Sequence, residues 1–195
     1  MHGKTFVFFG IVGSGKGTQV KLLQEFLKEK DGKESVYVSP GHEYRKLIET
    51  DSFTGSLVKG PLSGGELLPG FLTDAIVANI LISSLSIDKN LIADGYPRAV
   101  EQSISFEKMM NFYKRENIKI IYIELSKEEA IKRMKLRGRH DDTDEGIAKR
   151  FDEYKNNVVL AMNYFKDKKK YEIYSINGEQ TIENVHKDII KALGF

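Results

Sequence analysis

The chain has 195 residues, 41% of them hydrophobic and 30% charged, and its 30 basic against 28 acidic residues leave a formal net charge of +2. That balance supports one packed domain over residues 1–195 and excludes a disordered chain and the dense cationic footprint of a non-specific nucleic-acid binder. With no cysteine there is no disulfide framework, no Cys-ligated zinc and no thiol nucleophile, and His2, His42, His140 and His186 show no paired metal-ligand spacing. Apolar runs are too short for a membrane span or a signal-peptide core, so a cytoplasmic location is expected.

Residues 5–9 form a β-rich apolar run that ends in Gly10, the pattern of a strand buried on both faces. A glycine-rich turn follows. Val20, Leu22, Leu23, Phe26 and Leu27 then recur near helical spacing, which predicts a helix from Lys16 to about residues 30–32. A short strand is expected at 35–39, closed by Pro40-Gly41, and a helix-like stretch at 42–49. Residues 51–65 carry Gly55, Gly60, Pro61, Gly64 and Gly65; that composition fits a mobile excursion or a plain surface loop. A helix over 67–85 leads to a buried strand at 90–93, which runs into Asp94-Gly95-Tyr96-Pro97-Arg98. A helix at 100–113 and a strand at 118–125 come next, and Ser126 with Glu129 three residues on is a capping-box start for another helix. Ile147, Phe151, Tyr154, Val158, Met162 and Phe165 predict one long amphipathic helix over 143–168, before a strand at 171–176 and a helix at 182–193. The fold class is therefore α/β: a central five-stranded parallel sheet covered by helices on both faces, with ligands beyond the carboxyl ends of its strands.

Gly10-Ile11-Val12-Gly13-Ser14-Gly15-Lys16-Gly17-Thr18 lies between the first strand and the first helix, the context a phosphate-binding loop requires. Glycines let successive N–H groups point at phosphate oxygens, the helix N-terminus adds partial positive charge, and Lys16 adds a full one. Gly17 stands where a general ATPase or GTPase carries its magnesium-binding hydroxyl, and Thr18 follows one residue later.

The wording Gly15-Lys16-Gly17-Thr18-Gln19 resembles nucleoside monophosphate kinases, adenylate kinases above all, and further matches follow in order along essentially the whole chain. Ser39-Pro40-Gly41-His42-Glu43-Tyr44-Arg45 is similar to the family segment whose arginine holds the monophosphate. Gly65-Glu66-Leu67-Leu68 is similar to the one that lines its ribose and base, and Asp94-Gly95-Tyr96-Pro97-Arg98 with Gln102 resembles the segment that ends in an adenine-reading glutamine. Arg133, Arg137, Gly138, Arg139, Asp141, Asp142 and Arg150 look like the lid and the arginines around it.

The resemblance implies a P-loop kinase with an acceptor-binding insertion at 40–69 and a vestigial lid at 137–142, catalysing ATP + AMP = 2 ADP with Mg²⁺. It places Gly13, Ser14, Gly15, Lys16, Gly17, Thr18, Arg133, Arg137 and the backbone near Gln180 around ATP. Around AMP it places Pro40, Gly41, Arg45, Glu66, Leu67, Leu68, Gly95, Tyr96, Pro97, Arg98, Gln102, Arg139 and Arg150. Arg139 and Arg150 serve the transferring group, Asp94 meets the metal through water, and Lys16, Arg98, Arg137, Arg139 and Arg150 make up the catalytic set. Guanidinium forks suit phosphate oxygens in a way lysine does not, and positioning with charge neutralisation leaves no need for a general base. Asp141 and Asp142 are expected to orient lid arginines or cap the next helix.

Two departures bear on that reading. A lone Gly138 separates Arg137 from Arg139, shorter than the small lids of the family, and closure of 51–65 is expected to take over water exclusion. Pro40 and His42 stand where adenylate kinases carry threonine and aspartate. Because threonine there accompanies AMP and alanine accompanies pyrimidine monophosphates, Pro40 leaves base choice open, while the amide of Gln102 favours adenine. A kinase for CMP, UMP or GMP is the alternative, and a nucleotide-binding sensor without turnover is the second. The expected partners are ATP and AMP as small molecules, with no nucleic acid, no membrane and no second subunit.

Overall fold

The computed structural model describes residues 3–138 and 143–195. In chain order these form β1 (Thr5–Gly10), α1 (Lys16–Asp31), β2 (Ser35–Val38), α2 (Pro40–Ile48), α3 (Phe53–Ser63), α4 (Gly70–Ser84), β3 (Asn90–Asp94), α5 (Val100–Phe112), β4 (Ile118–Glu124), α6 (Lys127–Arg137), α7 (Asp144–Glu153), a π turn (Tyr154–Val158), α8 (Val159–Asn163), β5 (Tyr171–Asn177) and α9 (Ile182–Ala192). Among the described residues one five-stranded parallel sheet runs in the order β2-β3-β1-β4-β5. No helix among them is long and apolar enough to cross a membrane.

Strand alternation sorts the core. Phe6 and Phe8 of β1 face α1 and α9, where Val20, Leu23, Leu27, Val185 and Ile189 are buried against them. Val7 and Phe9 face the opposite layer, with Val77 and Leu81 of α4, Phe106 and Met110 of α5, and Ala161 of α8. Each such side chain contributes about 1.5–3 kcal/mol of burial. The strand order explains the split. Leaving β1 the chain moves toward β2, and leaving β3 it moves the other way to β4; right-handed crossovers then put α1 and α5 on opposite faces. The carboxyl ends of β1 and β3 consequently part, which opens the crevice where an open α/β sheet takes its ligand.

Three expectations are corrected. The Gly/Pro-rich segment 51–65 holds a helix, α3: Ser52 caps it by accepting the Gly55 N–H at 3.0 Å, and Val58 packs with Tyr44 and Leu68 in a small core that also takes in Leu47, Leu62, Leu72 and Ile76. Burial against α2 and α4 outweighs the low helix propensity of Gly60 and Pro61. The helix expected at 143–168 is broken by the π turn and ends at Asn163. One extra residue rotates the later face by about 100°. Ile147 and Phe151 can therefore pack on Ile11 and Met134 while Ala161 reaches the sheet. The Ser126 capping box is only half formed, as described below.

Arg115 went unread in the sequence. It is 2% exposed, and its guanidinium donates to Gly3 O at 2.8 Å, Lys89 O at 3.0 Å and Ser86 O at 2.7 Å, tying the start of β1, the α4–β3 loop and the α5–β4 link together. Arg115→Leu strands three carbonyls, and we expect a loss of about 2–4 kcal/mol. Urea unfolding measures it; an unchanged midpoint contradicts this role.

Candidate active site

Residues 10–15 carry the chain from β1 into α1 as a tight loop, with the Ser14 N–H donating to Ile11 O at 3.1 Å. Gly13 has φ +85°, and a Cβ there would lie 2.8 Å from the Ala130 carbonyl oxygen, so the loop is seated directly on α6. Helix α1 begins at Lys16 behind a left-handed Gly15, which brings the positive end of its dipole to the crevice. Lys16 Nζ donates to Gly10 O at 2.7 Å and Ile11 O at 2.9 Å and reaches Ser14 Oγ at 3.3 Å. Burial lowers its pKa to about 8; Asp94 opposes that shift, and Arg98 and Arg137 add to it.

The same electrostatic neighbourhood extends across β3. Arg98 Nε donates to Gly95 O at 2.8 Å, and although the residue is exposed beyond the carboxyl end of β3, the protein around it lowers its pKa. Asp94 counters this shift, while Arg150 and Arg45 reinforce it. Arg98 and Arg137 thus act on Lys16, and Arg45 and Arg150 act on Arg98, with Asp94 opposing both sets, although these cations come from the phosphate loop, α2, the β3–α5 turn, α6 and α7. Arg137 and Arg150 also hold partners of their own. The Asp94 carboxylate lies beside the first turn of α1, where a Cβ on Gly17 would be 3.8 Å from Oδ2. Tyr37 donates its hydroxyl to the same oxygen at 3.0 Å, and desolvation together with Asp94 pushes that phenol up to about 12. Sequence reading missed Tyr37; a signal was available in its alternation with the buried Val36 and Val38, which turns it to the other face of β2.

On the acceptor side several expected roles change. Pro40 is buried at the first turn of α2, and Gly41 lies next to Arg45, whose Nη1 would be 3.8 Å from a Cβ at Gly41. His42 is exposed. Tyr96 is fully buried and donates to Asp74 Oδ1 at 2.7 Å, so at Gly95-Tyr96-Pro97 the backbone, not the tyrosine ring, borders the crevice. Leu68 is buried in the core of the insertion with Tyr44 and Val58, whereas Leu67 stays half-buried. Glu66, expected to line the acceptor's ribose and base, pairs with Lys149 of α7. Next to it, Gly65 has φ +79°, and a Cβ there would meet Gly146 O at 2.7 Å and Arg150 Cγ at 3.0 Å. The strap between α3 and α4 therefore rests on α7. Gln102 is buried, and its Oε1 accepts the Arg98 N–H at 2.8 Å, which uses one lone pair of the amide that was expected to read a base.

Beyond α6 lies an open groove of about 630 Å³, lined by Ser126, Glu129, Arg133, Glu179, Gln180 and Thr181 among others. It unites Arg133 and Gln180, 47 positions apart in the numbering. Arg133 donates to Glu129 Oε1 at 2.8 Å and to Gly178 O at 3.0 Å, and Gln180 Nε2 donates to Asn177 O and to Asp188. The Gln180 side chain is thereby tied to its own turn and α9. Arg133 and Arg137 share α6 but serve different places, since Arg137 acts on Lys16 and Arg133 lines the groove. Thr18 is exposed on the first turn of α1. Arg139, Asp141, Asp142 and most of the expected lid at 137–142 lie outside the described residues; α6 ends at Arg137 with Gly138 as its left-handed cap.

A family model described as adenylate kinase matches residues 8–170. The chain is 34% identical to an adenylate kinase of Prochlorococcus marinus (strain MIT 9301) over 95% of its own length and 96% of the relative's. It is 33% identical to an adenylate kinase of Bacteroides thetaiotaomicron (96% of each chain) and 31% identical to one of Mycobacterium leprae (96% and 98%). A phosphate loop seated on α6, Arg98 and Arg137 acting on its lysine and this likeness over nearly the full length lead to one conclusion: the chain belongs to the adenylate kinase family.

Proposed function

We propose that the crevice between β1 and β3 transfers the terminal phosphoryl group of ATP to AMP, giving two ADP. The chain is an ATP-dependent nucleoside monophosphate kinase by family, and the observation that supports the residue assignments is the placement of Asp94 beside the first turn of α1, acting on both Lys16 and Arg98, with Arg137 acting on Lys16 and Arg45 and Arg150 on Arg98. In this reading the amides at Gly13, Ser14, Gly15, Gly17 and Thr18 and the Lys16 ammonium hold the ATP phosphates, with the base in the groove at Arg133 and the backbone of residue 180. Arg45 and Arg98 grip the acceptor's phosphate in bidentate fashion, while Arg137, Arg150 and Arg139 neutralise charge on the transferring group. The nucleophile is a phosphate oxygen that is already anionic, so binding in line and charge neutralisation suffice.

The residues fit a magnesium ion that arrives on the phosphates. Among the described residues no group of three or more His, Cys, Asp or Glu is placed to hold a metal, but Asp94 offers a hard oxygen beside Lys16 and Gly17, steadied by Tyr37. Magnesium keeps much of its water shell and needs only one or two carboxylates besides the phosphates. When bound it would neutralise charge shared by the phosphates; Asp94, acting through water, and the Thr18 hydroxyl would orient it.

For the acceptor, Pro40 contributes neither a hydroxyl nor an N–H, and Gln102 keeps its NH₂ and one carbonyl lone pair, a set that matches adenine's edge. Transfer from Mg-ATP to AMP, CMP, UMP and GMP in parallel should show AMP preferred. Arg98→Ala should lower kcat/KM for AMP by about 10³-fold or more while calorimetry finds ATP binding within about threefold of the parent. Preference for another monophosphate would overturn the acceptor assignment, and ATP binding without transfer to any acceptor would favour a sensor.

Lys16 supplies a pH prediction. It grips phosphate only when protonated, and its pKa is lowered to about 8, so kcat/KM for ATP should hold below that value and decline as pH rises through it. A profile flat to pH 10 would remove Lys16 from the donor site.

A further inference from the structure

Ser126 and Glu129 have the spacing of a capping box, in which the serine caps the glutamate's N–H and the glutamate returns to the serine's N–H. Half of that exchange is missing. Ser126 Oγ accepts the Glu129 N–H at 3.4 Å, but the Glu129 carboxylate turns away and accepts from Arg133 Nε at 2.8 Å. The Ser126 N–H goes instead to Glu179 Oε1 at 3.0 Å, from a residue 53 positions later in the turn between β5 and α9. This turn is tied to α6 a second time in the opposite sense, since Arg133 Nη2 donates to Gly178 O at 3.0 Å. Its own shape is held by Gly178 N–H on Glu124 O at 2.7 Å and by Glu179 N–H on Asn177 Oδ1 at 2.9 Å. The groove at Arg133 and Gln180 lies between the two ties.

We propose that Glu179 is a positioning residue for the donor nucleotide: by taking the Ser126 N–H it leaves Glu129 to hold the Arg133 guanidinium against the Gly178 carbonyl, which sets the wall of the groove. The inference rests on the reading of that groove as the place of the ATP base. The Glu129 carboxylate is turned along the helix, with Oε1 on the Arg133 guanidinium and Oε2 3.6 Å from Lys132 Nζ, whereas completing the capping box requires it to turn back toward the Ser126 N–H. Glu179 decides between them. Without it, Glu129 swings back to complete the capping box, α6 keeps a capped start, and Arg133 loses the carboxylate that orients it. The cost then falls on ATP rather than on stability.

The test compares wild type with Glu179→Ala, Glu179→Gln, Glu129→Ala and Arg133→Ala. Calorimetric titration with ATP in the absence of acceptor, KM for ATP and AMP separately, kcat and the thermal midpoint are read for each. For Glu179→Ala we expect Kd and KM for ATP to rise about 5- to 10-fold, the loss of one orienting hydrogen bond, with kcat and KM for AMP within about twofold and the midpoint within about 3 °C. Glu129→Ala should reproduce that pattern. Glu179→Gln, whose amide oxygen still accepts the Ser126 N–H, should return ATP binding to within about twofold of wild type. If Arg133→Ala weakens ATP while Glu179→Ala leaves it unchanged, the proposal fails and the groove reading stands. A Glu179→Ala variant that lowers the midpoint and weakens both nucleotides alike marks Glu179 as a structural cap and also overturns the proposal. ATP binding untouched by Arg133→Ala takes the donor base out of the groove, and the proposal falls with it.

Discussion

Lys16 and Arg98 each carry a lowered pKa beside further cations, Arg137 for the first and Arg45 and Arg150 for the second, and the fold holds these like charges near one another against their repulsion. Lys16, Arg45, Arg98, Arg137 and Arg150 reach the crevice from separate elements, so backbone packing rather than mutual attraction sets their places. The reversal of strand order between β1 and β3 makes this possible, because it splits the two loops apart without breaking the sheet. Asp94 offsets part of the repulsion for Lys16 and Arg98, and Tyr37 holds its carboxylate in place. Bringing phosphate into such a crevice relieves the strain of assembled like charge. A monophosphate kinase needs that affinity for phosphate, since its two substrates are anions that repel each other.

The elements that carry the cations are in turn fixed by polar ties at their ends. Arg115 closes the amino-terminal edge of the sheet through three carbonyls, and Gln19 of α1 donates to Ile182 O at 2.9 Å, linking the phosphate-loop helix to α9. On the opposite edge the turn after β5 and α6 are joined twice, once by Glu179 and once by Arg133. The acceptor side is built differently. Helices α2 and α3 and the start of α4 share a small core of their own around Tyr44, Val58 and Leu68, and their strap touches α7 at Gly65 and through Glu66 and Lys149. The phosphate loop thus stands on the main sheet, whereas Arg45 stands on a subsidiary layer that, among the described residues, meets α7 at the Gly65 backbone and through the Glu66–Lys149 ion pair.

What could be read directly from the residues shares a physical basis: it depends on neighbours in the chain. The apolar run into Gly10, the glycines before Lys16 and the helical spacing after it make a strand, an anion-binding turn and a helix whatever the rest of the molecule does. Alternation of strands with helices carried the parallel sheet, and the ordered motifs around Arg45, Arg98, Arg137 and Arg150 carried the family. Tertiary structure decided whatever depended on burial or on a partner far along the chain. It made a helix of a Gly- and Pro-rich segment because Val58 and Leu62 had a core to enter. It turned Tyr96 inward to Asp74 and engaged the Gln102 oxygen with the Arg98 backbone, because buried polar groups must find partners where packing puts them. It also gave the Ser126 N–H to Glu179 instead of Glu129, a choice that no window of neighbouring residues contains, since it exists only once the turn after β5 lies against the start of α6.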